Sequence, residues 1–443
     1  MLLDASHQGQ LTAILILATI LFIVASALPQ KIAGTLLLLL VPFQAVETRF
    51  GTSGVVLAYV VFIAMLLRKE PVRLPMLPHF IFLLLWYLVS MSLMIPSSYI
   101  QHGVYIFSIV SAILVFWLCY DLMHRFEQPS RVVGVFIILN ALVAIYCTVQ
   151  LWIGPGERLV LFGIDEMNMI QVRADGRLTG PFQSSEITAL YLVIMEFLIV
   201  HQFWHASNAG SRRALILLAT LNLGFLVATG SRGEFLLLLG GGAVYLWLFH
   251  RRLGTFRALG LATGVAIALT VMALIVVNYT EFGGLFDRLE ETEFSQEGIP
   301  DTRQVLWPPV WQEIVKSPIV GHGPRFRFFL EERGERYEDH LYLQYPHNLY
   351  LFLLFTVGVP GLLLFMSILL FVAYRCWRAM SKPNAPPYLS DLARTGVIVI
   401  LLYVIDGLKI DQMRMNLADF WHFFFGLCGV FIGACALIQK EPR

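Results

Sequence analysis

Apolar residues run in blocks along almost the whole chain, most of them close to the roughly 20 residues that carry a helix across a bilayer. The stretch from Leu11 to Leu28 is apolar on every face, so it is neither an alternating strand nor an amphipathic surface helix. In lipid only helices and closed barrels satisfy their own backbone. A barrel would show alternating segments of about ten residues, and the blocks do not alternate. The pattern predicts spans over 11–28, 32–46, 53–67, 79–95, 103–122, 131–153, 183–203, 214–229, 234–249, 257–279, 347–374, 395–409 and 416–438, with the short second and twelfth as candidates for re-entrant segments. The expected fold is all-α: a polytopic integral membrane protein with about 12–13 transmembrane helices and one long, partly helical loop. Three regions follow: N-terminal transmembrane helices over 1–279, the loop over 280–346, and C-terminal transmembrane helices with a short cytoplasmic tail over 347–443.

Short loops rich in Lys and Arg stay cytoplasmic. Lys31, the Arg68–Arg73 group, Arg125 and Arg131, Arg212 and Arg213, Arg251–Arg257, Arg375–Lys382 and Lys440 with Arg443 each follow an odd-numbered span. One topology accommodates them, with the N-terminus outside and the long loop outside. Arg49, Arg158, Arg173, Arg177, Arg232, Lys409 and Arg414 then fall on the outer side, against the rule. Either the topology is locally different, or these cations are held there to meet an anion. The first apolar run lacks a basic n-region and a small-residue cleavage site, so it reads as a retained span.

Composition sharpens this picture. The 443 residues are 58% hydrophobic and 14% charged, against about 25% charged in soluble proteins. The net charge of +1 and the absence of a Lys/Arg block point away from nucleic acid. Cys119, Cys147, Cys376, Cys428 and Cys435 are scattered through apolar segments without a C-x-x-C pair and read as core residues.

Three polar constellations interrupt the apolar blocks. Thr229-Gly230-Ser231-Arg232-Gly233-Glu234 separates two spans. A guanidinium there offers planar, bidentate donors suited to phosphate, Gly230 and Gly233 permit close backbone approach, and Ser231 can cap the next helix. A snorkelling arginine in a tight turn is the plainer reading. Tyr345-Pro346-His347-Asn348-Leu349-Tyr350 places an imidazole at the start of the eleventh span, where it can take a proton from a hydroxyl at neutral pH. Its plainer reading is a histidine in an interfacial aromatic belt. Within the loop, Asp301-Thr302-Arg303 precedes Trp307 and Trp311, and Gly321-His322-Gly323-Pro324 is a turn that can show backbone N–H groups to an anion.

The order of these pieces resembles the O-antigen ligase and O-antigen polymerase superfamily: Gly230-Ser231-Arg232-Gly233, a long outer loop with Arg303, Trp307, Pro318, Gly321 and Gly323, then Pro346-His347-Asn348 and Gly358-Val359-Pro360-Gly361. Arg177-x-x-Gly180-Pro181-Phe182 resembles a weaker element of the same family. The resemblance implies a multi-pass glycosyltransferase of the bacterial inner membrane, working on the periplasmic face in lipopolysaccharide biosynthesis. It would move a glycan from undecaprenyl pyrophosphate to an acceptor hydroxyl, as an O-antigen ligase acting on lipid A-core. A polymerase extending a growing glycan is the alternative within the family, and a lipid-linked glycan flippase the alternative from another class, with Glu196 and Asp406 inside predicted spans in its favour.

Carried over residue by residue, the resemblance implies His347, Arg232 and Arg303 as catalytic groups, with Arg177, Ser231, Arg288, Asn348, Gly321 and Gly323 binding substrate. Arg288 and Arg303 remain alternatives for the loop arginine. Glu234, beside the proposed pyrophosphate site, departs from the family pattern and is expected to pair with an arginine. With no Asp-x-Asp triplet and no phosphate-binding P-loop, the expected chemistry uses neither metal nor cofactor, arginines taking the charge-stabilising role.

Overall fold

The computed structural model describes residues 27–43, 47–48, 51–68, 72–93, 99–126, 128–156, 158–160, 168–171, 176–279, 301–323, 346–413 and 418–440. The span expected over 11–28 lies almost wholly outside them, as do Arg49, Arg173, Arg288 and Arg414. The chain is an α-helical bundle. In chain order the helices are α1 (Gln30–Leu40), α2 (Ser53–Leu67), α3 (Leu77–Ser92), α4 (Tyr99–Arg125), α5 (Ser130–Ile153), α6 (Ser185–His205), α7 (Ala209–Ala228), α8 (Arg232–Tyr279), α9 (Asp301–Lys316), α10 (Leu349–Met380), α11 (Pro387–Asp406) and α12 (Ala418–Lys440). Two antiparallel hairpins, β1 (Glu47–Thr48) with β2 (Gly51–Thr52) and β3 (Arg158–Val160) with β4 (Asn168–Gln171), sit in connections. Among the described residues eight helices are long and apolar enough to cross a membrane, and four shorter apolar segments accompany them.

As expected, the ninth and tenth spans are two helical segments, one over Arg232–Phe249 and one that includes Thr263–Val276; they meet within α8 at a kink at Gly254, whose φ of 68° a side chain would resist. One expected boundary shifts for an identifiable reason. The twelfth span is no re-entrant stub: α11 starts at Pro387, well before residue 395. Polar residues in its first turns pair within the bundle, Asp391 with Arg394 at 2.6 Å and with His205 at 3.0 Å.

The bundle has two chemically distinct ends. At one, Gln30 and Arg125 meet Asp121, Arg375 meets Gln439, Lys382 meets the Ile438 carbonyl, and His205 and Arg394 flank Asp391. At the other, Leu178 bonds to Ala228, Leu349 to Gly407, Trp307 to Pro346 and Ser90 to Val320. The helices therefore alternate in direction, and the short basic connections gather at the first end, as the charge pattern predicts.

The core is fixed where α12 lies along α4. Gly426, Gly429 and Gly433 share one face of α12; a Cβ on Gly429 would overlap the Phe116 carbonyl oxygen, and one on Gly433 would stand 2.7 Å from Met123 Cβ. Small residues let the two backbones approach closely where no hydrophobic effect drives helices together in lipid. All five cysteines are buried and unbridged.

Helix α10 is kinked at Gly358 (φ 68°), just before Pro360. Pro360 has no N–H, so the Thr356 carbonyl loses its helical partner; Ser90 Oγ donates to it at 3.1 Å. Neighbouring carbonyls are taken up in the same way, Phe355 by the His322 N–H at 2.8 Å and Val357 by the Trp86 indole at 2.8 Å. The Pro318–His322 turn thus locks onto the kink, and a Cβ on Gly358 would collide with the Ile319 carbonyl.

These contacts predict that Gly429→Ala and Gly358→Ala each lower the melting temperature in detergent by an amount equivalent to about 1–3 kcal/mol. Gly240→Ala, where a Cβ meets nothing within 4 Å, leaves it unchanged or slightly raised. Thermal unfolding of the three purified variants checks this.

Candidate active site

The Thr229–Glu234 turn opens α8 at the end of the bundle opposite the basic connections. Gly230 turns the chain at φ 63°; Thr229 Oγ1 bonds back to Leu226 O at 2.7 Å and accepts from Ser231 N at 3.3 Å. Arg177 closes one side of the turn, its Nε donating to Thr229 O at 2.9 Å and its Nη1 pairing with Glu186 at 3.0 Å. Arg232 is half-buried in the first turn of α8, where the helix dipole favours an anion.

Lys409 closes the other side. It lies in the turn after α11 and pairs with Glu234 and, at 3.2 Å, with Asp406. Both carboxylates are completely buried. Glu234 also accepts from Ser231 Oγ, and Asp406 accepts from Gln412 Nε2 at 2.7 Å. Burial alone would push the Lys409 pKa down, but Asp406 and Glu234 outweigh it and hold the ammonium above the ordinary lysine value of 10.5. A raised lysine pKa contributes stability at every pH below that ordinary value and loses it only as pH climbs past the raised one, so the ammonium keeps its charge throughout the physiological range. Gly233 lies close against this side chain: a Cβ there would stand 2.6 Å from Lys409 Cδ, and the lysine stem would have to shift.

His347 arrives at the same end on the segment before α10. It is half-buried and held at φ 47°, a left-handed conformation that costs a non-glycine residue about 1–2 kcal/mol. Its neighbours explain the constraint. Pro346 O accepts from the Trp307 indole at 2.9 Å. Asn348 caps α10, its Oδ1 accepting from Tyr350 N and Leu351 N at 3.0 Å, while its Nδ2 donates to Leu408 O at 3.1 Å. Leu408 is the residue before Lys409. The Arg232 turn and the His347 turn are therefore tied to consecutive residues of one short loop.

Arg303 belongs to α9, one turn ahead of Trp307 and on the same helix face; its side chain lies outside what the structure describes, as does Arg288 altogether. Several residues expected to bind substrate also have protein partners. Arg177, Ser231 and Asn348 are engaged as described. Gly321 N donates to Ser317 O at 3.0 Å and the His322 amide to Phe355 O, so this turn spends those N–H groups on packing against α10. A Cβ on Gly321 would stand 2.5 Å from Thr356. The partner that Glu234 requires is Lys409, a lysine 175 positions away, and not an arginine.

Glu186, Asp406 and Lys409 were not singled out as site residues by sequence reasoning. The signal was present in one respect: Lys409 is among the cations that break the positive-inside pattern, and Asp406 is three residues before it. Among the described residues no group of three or more His, Cys, Asp or Glu side chains is arranged to hold a metal ion.

Residues 214–366 match a family model described as O-antigen ligase, and no curated protein matches the chain. The matched stretch runs from α7 into the second half of α10 and contains Arg232, Arg303 and His347, while Arg177 and Lys409 fall outside it. That match, within an α-helical bundle with helices long and apolar enough to cross a membrane, supports a likeness of residues 214–366 to the O-antigen ligase superfamily.

Proposed function

We propose that the protein transfers a glycan from a polyprenyl pyrophosphate carrier, undecaprenyl pyrophosphate, to an acceptor hydroxyl on the periplasmic face of the bacterial inner membrane. Its preferred acceptor is lipid A-core, which makes it an O-antigen ligase. The observation that carries this reading is the convergence of the Arg232 turn and the His347 turn on the Leu408–Lys409 loop, at the end of the bundle away from its basic connections. The positive-inside rule puts the basic end in the cytoplasm, so the site faces outward.

The donor brings its own leaving group, and the enzyme's tasks are positioning and charge stabilisation. The acceptor oxygen attacks the anomeric carbon and a new glycosidic bond forms. The bond from that carbon to the pyrophosphate oxygen breaks, with its electron pair leaving on the pyrophosphate. His347 takes the hydroxyl proton, and Arg232, joined by Arg303 from α9, meets the charge that develops on the departing group. Arg177, Ser231 and Asn348 shape the turns that carry these residues. The flippase alternative loses one of its two supports: Asp406 sits at the end of α11 in a pair with Lys409 and not unpaired in mid-span. The acceptor is the point at which a polymerase would differ, and glycan analysis of a deletion strain separates them: accumulation of long free lipid-linked chains supports a ligase, single repeats a polymerase.

His347→Ala and Arg232→Ala should each lose about 10²- to 10⁴-fold in transfer from a lipid-pyrophosphate donor while still reaching the membrane. Wild-type rates in both would refute the assignment. His347→Gly should be equally inactive yet more stable than His347→Ala by about 1 kcal/mol, because glycine relieves the positive φ; melting curves of the two read this out. For orientation, a membrane-impermeant thiol reagent should label Gln312→Cys on intact cells, and Asn384→Cys only after permeabilisation; both positions are exposed, at opposite ends of the bundle. The reverse pattern would put the site in the cytoplasm.

A further inference from the structure

The two elements that carry the proposed chemistry come from separate helices, α8 and α10, and each is joined to the loop after α11. Lys409 pairs with Glu234, two residues beyond Arg232. The residues just before Lys409 take up the His347 side: Leu408 O accepts from Asn348 Nδ2 at 3.1 Å and Gly407 O accepts from Leu349 N at 2.7 Å. The loop itself is braced, with Lys409 N bonded to Asp406 O at 2.8 Å and the Lys409 ammonium returning to the Asp406 carboxylate.

From this we infer that Lys409 is a positioning residue for transfer: it sets the register between Arg232 and His347 without touching the reacting atoms. The inference rests on the reading of those two residues as the active pair. The physical reason is the charge arrangement. Glu234 and Asp406 are both fully buried, and with the ammonium between them each is compensated. A neutral side chain at position 409 leaves two buried carboxylates to repel one another and spread the loop from α8. Gly233 lies against the lysine stem, 2.6 Å separating a Cβ built there from Lys409 Cδ, so the α8 turn and this side chain are in direct contact.

The test compares Lys409→Met, Lys409→Arg and the double variant Lys409→Met/Glu234→Gln, each purified in detergent. The double variant removes one of the stranded carboxylates and so provides a folded protein should Lys409→Met not assemble. Two readouts are taken: steady-state transfer from a polyprenyl-pyrophosphate glycan, and the spin–spin distance between labels at Leu236→Cys and Val359→Cys, exposed positions on α8 and α10. The native cysteines are buried and do not compete.

Lys409→Met, or the double variant in its place, should lower kcat on the order of 10²-fold with KM for the donor little changed, as expected for loss of alignment, and should broaden or shift the distance distribution. Lys409→Arg, which keeps the charge, should recover most of kcat and the narrow wild-type distribution. Wild-type kcat per folded molecule in Lys409→Met and in the double variant would overturn the proposal. So would a loss of kcat at an unchanged distance, which would mean that the ammonium acts on substrate directly. Undiminished transfer in Arg232→Ala and His347→Ala would remove the active-pair reading beneath it, and would be recognisable as that failure because the distance measurement does not depend on turnover.

Discussion

A lysine ammonium sits between two completely buried carboxylates at one end of a helical membrane bundle, and much of the arrangement around it follows from that charge balance. Breaking one partner out of a buried ion pair typically costs roughly 3–5 kcal/mol, because the remaining charge is stranded away from water. Here the stranded groups would be Glu234 and Asp406, on two different helices, so the pair holds the start of α8 against the end of α11. The same loop accepts the cap residue of α10. Three helix ends and two polar turns are thus gathered by bonds to three consecutive residues, Gly407, Leu408 and Lys409. The strained His347 conformation is held in place by this gathering together with the Trp307 indole, consistent with strain persisting where surrounding contacts over-determine the backbone.

Electrostatics at the two ends of the bundle obey different rules. The basic end follows the usual membrane asymmetry, and its carboxylates are few and locally paired, as at Asp121 and Asp391. The opposite end carries cations against that asymmetry, and Arg177 and Lys409 there are neutralised by Glu186, Glu234 and Asp406. Arg232 stands between them in the first turn of a helix. A phosphate group brought to this point meets a helix N-terminus and a guanidinium on a turn whose geometry is fixed by its neighbours' ion pairs. That is electrostatic preorganisation, in which the donors are already oriented before charge develops.

Hydrophobic length made the helical architecture legible in the sequence, because a bilayer admits only helices or closed barrels and the long, non-alternating apolar runs fit helices alone. The charge rule likewise separated the two ends from the placement of Arg125, Arg212 and Arg375 alone. What sequence concealed was pairing. Asp391 and Arg394 lie ahead of the expected start of the twelfth span at residue 395, and nothing local reveals that they face each other and His205. Glu234 looked incongruous beside an anion site because its partner is 175 residues distant. The glycines of the Gly321–Gly323 turn suggested an anion cradle; the His322 amide is taken by Phe355 O beside the kink and the Gly321 amide by Ser317 O. Motif order located Arg232 and His347, since both sit at helix starts beside proline or glycine punctuation; the lysine that joins them has no such signature.

The central claim is that a pyrophosphate binds at the lip formed by the Arg232 and His347 turns. A cryo-electron microscopy map of the protein saturated with a polyprenyl pyrophosphate tests it most directly. The account predicts density for the two phosphates within hydrogen-bonding reach of the Arg232 guanidinium, on the side of the turn that faces His347. Phosphate density at the opposite end of the bundle, beside His205 and Arg394, with none near Arg232, would contradict it.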